Sequence, residues 1–206
     1  MTESMDMRKH VTSQAPAEVS ASSGVRYLLD SGVSRFTAKV FATGILSAFG
    51  HSPSIALRDF EGEVVLDSEH LENSALHISL KAASLRVADD VSDKDRREIE
   101  REMQENVLEN AKYPEIVYEC SRVSVDDPRN GNYSLKLLGS LTLHGVARSQ
   151  PIPARLVVTG DMLRAFGEFT IRQSDYNIKP VSAIGGGLKV KDEVKFSFDL
   201  VARKQE

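Results

Sequence analysis

The sequence is short of cysteine, with Cys120 as the single one in 206 residues. One cysteine cannot form a disulfide within the chain, and no second cysteine lies near it at the spacing of a structural zinc site. His51, His77 and His144 are not spaced to converge on a metal ion. We therefore expect no metal site, and the lack of disulfides favours a reducing compartment.

Long apolar runs and an excess of basic charge are also lacking. No stretch approaches the roughly eighteen apolar residues of a membrane-spanning helix. No apolar core of a signal peptide follows Arg8, Lys9 and His10. Lys and Arg total 26 against 30 for Asp and Glu, so the chain lacks the positive charge that binds nucleic-acid phosphates. We expect a cytoplasmic protein that binds no nucleic acid and contacts a membrane only transiently.

Signatures of catalysis are missing as well. No Gly-x-Ser-x-Gly string presents a nucleophilic serine, and Cys120 shares the strand parity of Ile116 and Tyr118, as a small buried apolar residue would. The glycines at 185–187 are followed by Leu-Lys instead of the Gly-Lys-Ser/Thr of a phosphate loop, and they predict a turn. The sequence therefore predicts neither enzymatic activity nor a catalytic cofactor.

What the chain does contain is apolar residues that alternate with polar ones. Phe36, Ala38 and Val40, for example, alternate with Arg, Thr and Lys, as in a strand with one buried face. The segment 1–24 lacks this pattern and is rich in Ser, Thr, Ala and Glu, so we expect a disordered tail there. A single domain is then predicted over 25–206, a common length for one all-β unit.

About eight alternating runs are present, separated by turn signals such as Asn130-Gly131. This spacing indicates a β-barrel or a β-sandwich. The apolar side chains of such a fold either fill the interior completely, as most cores do, or leave a cavity. On alternation alone, the residues expected to point inward and to line one apolar cavity are Phe36, Val40, Ile78, Tyr118, Leu137, Leu141, Phe169, Phe196 and Phe198.

One segment, at 92–110, has helical periodicity instead. Ile99, Met103 and Val107 are four residues apart and share one helical face. Ser92 and the aspartate three residues later form a pair like that of a capping box. The two aspartates of the first turn suit the positive end of the helix dipole. The sequence predicts one amphipathic α-helix here.

Four strings in a fixed order carry a resemblance to a known family. They are FGHSPSIALRDFEGEV, AKYPEIVYECSRV, GSLTLHGVARSQPIPARL, and FTIRQSDYNIKP leading to KDEVKFSFDLVAR. Together they resemble the YceI-like family over roughly residues 25–203. The third string is the most specific: Gly145 permits a tight turn, and Pro151 and Pro153 limit pairing on one strand edge.

The resemblance implies an all-β fold: a single antiparallel lipocalin-like barrel of about eight strands with one amphipathic α-helix. It also implies that the lumen takes a long apolar lipid, a polyisoprenoid or an isoprenoid quinone. Eight-stranded barrels of the lipocalin type can hold one small ligand. We therefore expect non-catalytic binding, storage or transport of an isoprenoid lipid, by a protein that could form a homodimer.

Polar residues of the matched strings have two interpretations each. His51 could hydrogen-bond a lipid head group at the barrel mouth, or it could orient its own turn. Arg172 could meet a phosphate or quinone oxygen, or it could pair with Asp175 across a loop. His144 ends a strand beside a glycine, and there a structural role is favoured. Both His51 and Arg172 are kept as candidate ligand-binding residues.

A second hypothesis is a solid barrel with a structural or stress-related role and no lipid ligand. In that case the charged helix at 92–110 would contact a partner protein, although such mixed charges more often form only a solvated face. A cavity inside the barrel would separate the two hypotheses.

Overall fold

Antiparallel strands make up most of the computed structural model, which describes residues 24–43, 53–129, 131–180 and 189–206. A helix, α1, spans Asp93–Glu102 and continues as a π-helical turn at Met103–Val107. The strands are β1 Val25–Leu29, β2 Arg35–Thr43, β3 Ser54–Leu57, β4 Phe60–Leu66, β5 Ala75–Lys81, β6 Leu85–Val87, β7 Glu115–Arg129, β8 Asn132–Leu143, β9 Val146–Thr159, β10 Met162–Arg172 and β11 Lys189–Lys204.

These segments form a closed barrel of eight strands. The first three barrel strands are each broken in two: β1 with β2, β3 with β4, and β5 with β6. The halves pair accordingly, because β1 bonds to β4 and β2 to β3, while β4 bonds to β5 and β3 to β6. Strand β5 pairs with β7, each strand from β7 to β10 pairs with the next, and β11 closes the ring on β1 and β2. The predicted antiparallel eight-stranded barrel is confirmed.

The side chains divide between the two faces as the alternation predicts. On β8, Leu135, Leu141 and Leu143 are buried, whereas Ser134 and Lys136 are exposed. A strand has a period of two, so one face of every strand turns to the barrel axis and the other to solvent. The apolar core therefore lies inside the ring.

Tight turns join the later strands. At the β8–β9 turn, His144 has φ 51° and Gly145 has φ 72°, the left-handed region that two-residue hairpins need. The β7–β8 turn has Gly131 at φ 80°. The predicted turn at Gly145 is confirmed, and a second residue, His144, also takes the left-handed conformation.

The helix covers the open edge of β6, where the sheet order ends. Glu100 Oε1 accepts a hydrogen bond from the backbone N of Val87 at 2.9 Å, and the guanidinium of Arg96 donates to the Val87 carbonyl. Gln104 Nε2 donates to the carbonyl of Leu85 at 3.3 Å. These three side chains are spaced by four residues on one helical face. They satisfy an edge that would otherwise be free to pair with another chain.

The predicted helix start is confirmed. Ser92 caps α1, and its hydroxyl oxygen accepts a hydrogen bond from the backbone N of Asp95 at 3.2 Å. Ile99, Met103 and Val107 pack against the core, as their spacing predicts. The helical segment is shorter than 92–110 because the π-helical turn ends it at Val107.

A buried serine bridges the break in the first barrel strand. Strand β11 pairs with β2 as far as Asp199 and with β1 from Ala202. Val201 therefore faces the turn between the two halves. Ser34, 4% exposed, accepts a hydrogen bond from the Val201 N at 2.9 Å and donates one to the Val201 carbonyl at 3.3 Å. The hydroxyl thus gives the Val201 N–H a partner at the break, while the Val201 carbonyl also accepts from the backbone N of Asp30 at 2.8 Å.

We predict that Ser34→Ala destabilises the protein by about 1 to 2 kcal/mol, because it leaves the partly buried backbone N–H of Val201 without a partner. Urea unfolding followed by circular dichroism measures the change as a lower midpoint with the same slope. Ser124→Ala, on the exposed face of β7, is the matched control and should change stability by less than about 0.5 kcal/mol. Equal effects of the two substitutions would contradict this role of Ser34.

Candidate ligand cavity inside the barrel

The barrel encloses one long apolar cavity. About 1250 Å³ of empty space lies between its walls, including the part open to solvent, and the centre of a water-sized sphere can reach about 130 Å³ of it. A site for one water needs only about 10 to 15 Å³ by the second measure. The cavity therefore exceeds the small voids of an ordinary core, and among the described residues it favours the first hypothesis over the solid barrel of the second.

The wall of the cavity is almost wholly aliphatic and aromatic. Its 28 lining residues come from every strand segment of the barrel except β6, and from the connection between β4 and β5. They are Leu29, Phe36, Leu57, Val64, Leu66, Leu71, Ser74, Ala75, Leu76, Ile78, Leu80, Ile116, Tyr118, Val123, Leu135, Leu137, Leu141, Leu143, Ile152, Ala154, Leu156, Leu163, Ala165, Phe169, Phe196, Phe198, Leu200 and Ala202.

Cross-strand neighbours hold the aromatic part of the wall in place. Phe169 and Phe196 are directly opposite on β10 and β11, and their rings stack with centroids 5.0 Å apart. Phe36 lies opposite Phe198 in the next pair, with centroids 6.1 Å apart. Packed ring pairs of this kind contribute about 0.5 to 1.5 kcal/mol beyond their buried area. They give the lumen a rigid aromatic side.

The two polar side chains of the lining already have hydrogen-bond partners. The Tyr118 hydroxyl donates to the carbonyl oxygens of Gln150 at 3.0 Å and Leu137 at 3.3 Å. The Ser74 hydroxyl oxygen accepts from the backbone N of Asp67 at 3.1 Å. No charged side chain of the described residues lines the cavity. The wall therefore favours an apolar chain over a charged one.

Two glycines let aromatic rings lie against the wall. A Cβ at Gly139 would come within 2.6 Å of the Tyr118 ring, and one at Gly167 within 2.8 Å of the Phe198 ring. Both glycines have the inward parity of their strands, so each ring occupies the space that a neighbouring side chain would fill. The rings thereby leave the centre of the lumen open.

Comparison with known proteins follows from this geometry. A family model described as YceI-like domain matches residues 27–202. The chain belongs to the YceI-like family. No curated protein sequence matches it.

Solved structures share the fold of this YceI-like barrel. Burkholderia cenocepacia BcnA has a TM-score of 0.66 and 18% identity, over 84% of this chain and 98% of that one. A polyisoprenoid binding domain from Saccharophagus degradans, implicated in plant cell wall breakdown, has a TM-score of 0.62 and 13% identity, over 88% and 99%. A Campylobacter jejuni YceI protein has a TM-score of 0.55 and 14% identity, over 74% and 85%. At such identities the likeness shows the fold alone.

The structure places eight of the eleven predicted ligand-binding residues at the cavity wall of the YceI-like barrel. The other wall residues are absent from the predicted set. Most of them, such as Ile152 and Leu156 on β9, have the same strand parity as their inward neighbours. Parity applied to every strand would have found them. The eight residues at the wall are Phe36, Ile78, Tyr118, Leu137, Leu141, Phe169, Phe196 and Phe198.

Two of the predicted residues, Val40 and Arg172, do not line the cavity. Val40 packs against the core near the end of β2, opposite Val194, beyond the reach of the cavity. Arg172 is exposed, because it lies three residues from the inward-facing Phe169 and so on the opposite face of β10. His51 lies outside the described residues, as do the glycines at 185–187.

The ion pair predicted between Arg172 and Asp175 is wrong: it is absent from the ion pairs of the described residues. The charge of Arg172 instead acts on Asp192, where hydrogen bonds from Ser174, more than Arg172, lower the pKa of the carboxyl group. Strand β10 ends at Arg172 and a 3-10 turn follows at once. The turn changes the direction of the chain.

His144 and Cys120 have the structural roles that the sequence predicts. The His144 ring nitrogens lie 3.2 Å from the carbonyl of Tyr176 and 3.1 Å from Glu109 Oε2. Cys120 is 3% exposed, its Sγ lies 3.0 Å from the carbonyl of Arg122, and burial raises the pKa of its thiol. Neither side chain lines the cavity.

The described ranges have neither a candidate metal site nor a membrane-spanning helix. They contain no group of three or more His, Cys, Asp or Glu side chains arranged to hold a metal ion. Their helices are all too short or too polar to cross a membrane.

Burial of Tyr118 predicts how stability depends on alkaline pH. Burial, and to a smaller extent Cys120, raises the pKa of the Tyr118 hydroxyl far above its ordinary value of 10.0. In the unfolded chain this group ionises above about pH 10, while in the folded barrel it stays protonated. Its contribution to stability is therefore complete below pH 10 and declines above it, by at most about 1.4 kcal/mol per pH unit.

Tyr118→Phe removes this contribution, so the variant should lose stability less steeply than the wild type above about pH 10. Urea unfolding at several alkaline pH values measures the two slopes. Parallel slopes would mean that the Tyr118 hydroxyl is ionisable in the folded barrel.

Proposed function

We propose that this YceI-like protein binds a long apolar lipid chain, of the polyisoprenoid or isoprenoid quinone class, inside the barrel and stores or carries it without catalysis. The observation that carries the proposal is the continuous apolar wall of the lumen. The volume inside it that the centre of a water-sized sphere can reach, about 130 Å³, is roughly ten times what a single water molecule needs.

Burial alone supplies a sufficient driving force for such a ligand. Each CH₂ group moved from water to an apolar site contributes about 0.8 kcal/mol. A chain of a few isoprene units would thus gain several kcal/mol without any polar contact, which suits a wall without charged side chains. The structural neighbour described as a polyisoprenoid binding domain supports the same ligand class.

A pair of aspartate substitutions on β8 tests the proposal. Leu141 is 6% exposed and lines the lumen, whereas Lys136, on the same strand, is exposed on the outer face. A carboxylate at 141 would place a charge in the path of the chain, and desolvating it is costly. Leu141→Asp is therefore expected to weaken binding of a fluorescent polyprenyl probe by more than about tenfold. Lys136→Asp should leave the affinity unchanged.

Each variant is first shown to be folded by circular dichroism, because a buried carboxylate also destabilises the barrel. Where Leu141→Asp does not fold, Leu141→Gln replaces it with a polar side chain of similar size. Equal affinity of the inward and outward variants, or no binding by the wild type, would overturn the proposal.

A further inference from the structure

One stretch of the barrel wall has no ladder between neighbouring strands. Strands β9 and β10 lie wholly within the described residues, and they pair only where residues 155–159 face residues 162–166. The rest of β9, residues 146–154, pairs with β8 alone, and the rest of β10, residues 167–172, pairs with β11 alone. We call the boundary between these two stretches the β9–β10 seam.

Two prolines account for the seam. Val158 of β9 donates its backbone N–H to the carbonyl of Gly131 at 2.9 Å, on the β8 side. Successive N–H groups of a strand point to opposite neighbours, so residues at odd distances from Val158 direct theirs towards β10. Pro151 and Pro153 occupy two of these positions and have no N–H. The ladder to β10 therefore ends at Arg155, the nearest of these positions that has a donor.

The lumen lies directly behind the seam. Ile152 and Ala154 of β9 and Phe169 of β10 are part of the cavity wall. On the outer side, Pro153 of β9 and Glu168 of β10 are exposed. Along the seam, a single layer of strand therefore separates the apolar lumen from solvent.

The seam is closed by contact instead of by hydrogen bonds. A Cβ at Gly167 would come within 2.5 Å of the Pro153 carbonyl oxygen, so the two backbones lie against each other. At the far end, Arg148 Nε donates to the backbone carbonyl of Asp175 at 3.0 Å. Between Arg148 and Arg155 the seam is roughly 20 Å long, at about 3.3 Å per residue. Strands in contact can part at a lower cost than strands that share a ladder.

Two other interruptions of the ring are bridged by side chains. The Ser34 hydroxyl bonds to Val201 at the break in the first barrel strand. Glu100 of α1 bonds to Val87 at the edge of β6. Among the described side chains of residues 146–154, that of Arg148 alone makes a hydrogen bond across the seam, and it does so at one end. The seam is thus the stretch of the ring that can open with the smallest loss of hydrogen bonds.

We propose that the β9–β10 seam is a lateral portal, through which an apolar chain enters and leaves the lumen when the two strands part. The inference rests on the proposed lipid-binding function. A chain that lies along the seam enters the lumen sideways over its whole length and need not thread through an end of the barrel. The strands on either side keep their ladders to β8 and β11 while the seam is open. Opening motions of this kind commonly control how fast a ligand enters a closed site.

A reversible cross-link across the seam tests the portal. Continuing the register of the ladder places Glu168 opposite Pro153, so a disulfide between Pro153→Cys and Glu168→Cys holds the seam closed. The matched control is the pair Val157→Cys and Arg164→Cys, which are directly opposite each other on the ladder of the same strands. Uptake of a fluorescent polyprenyl probe is followed by stopped flow with each pair oxidised and then reduced. The affinity of the reduced proteins is measured at equilibrium.

We expect the oxidised seam pair to take up the probe more than about tenfold more slowly than its reduced form, because the closed strands raise the barrier to entry. Reduction should restore the rate. The control pair should take up the probe at one rate in both states, because its strands are already joined there. Both reduced pairs should bind the probe with the affinity of the wild type, since all four positions point outward.

Restoring the missing donors is the second variant, and it decides the matter where the disulfide does not form. Pro151→Val combined with Pro153→Val supplies two N–H groups directed at β10. We expect this variant to take up the probe about tenfold more slowly than the wild type, because two added hydrogen bonds lower the population of the open seam. Its equilibrium affinity should be unchanged.

Equal uptake rates of the oxidised and reduced seam pair would overturn the portal while the lipid-binding function stands. So would an equal slowing by the control disulfide or, where the seam disulfide does not form, a wild-type uptake rate of the double valine variant. If the wild type does not bind the probe, the proposed function itself is wrong and the portal is overturned with it.

Discussion

Closure of the sheet by β11 is the constraint on which the rest of the structure depends. One strand bonds to both halves of the broken first strand, and it can do so because Ser34 satisfies Val201 at the break. A closed ring has no free edge along the joined strands, and every strand must then turn one face inward. The apolar alternation of the sequence and the enclosed lumen are therefore two consequences of the same hydrogen-bond ring.

An eight-stranded ring can be filled solid by its side chains, so closure alone does not produce a cavity. Here the interior is left open because inward glycines stand beside two of the largest inward side chains. The Tyr118 and Phe198 rings lie over Gly139 and Gly167 instead of crossing the lumen. The inside wall depends on these glycines as much as on the leucines around them. This arrangement is consistent with a lumen that holds a ligand.

Much of the fold could be predicted from the sequence because a period of two is a direct consequence of strand geometry. The lumen positions Leu137 and Leu141 follow from this period. The helix that begins after Ser92 follows from the change to a helical period. Arg172 was assigned to the ligand although its parity relative to Phe169 points outward. Its place in a string of the family resemblance suggests a ligand contact, but strand geometry decides where the side chain points.

Other features have no periodic signal in the sequence. Tyr176 lies in a short 3-10 turn and is 1% exposed, although no alternation around it predicts burial. The break in the first barrel strand has no local signal either, because the Ser34 hydroxyl bonds to a residue 167 positions away. Long-range contacts of this kind are determined by closure of the ring and appear only in the folded chain.

We propose that the lumen is a hollow apolar site for a chain-like lipid, and native mass spectrometry of the intact protein can detect the complex. The purified protein is incubated with an excess of a long polyprenyl hydrocarbon and freed of unbound lipid before measurement. The account predicts a one-to-one complex that releases the hydrocarbon only into organic solvent. A spectrum that contains only the mass of the bare chain, from protein shown to be folded, would contradict it.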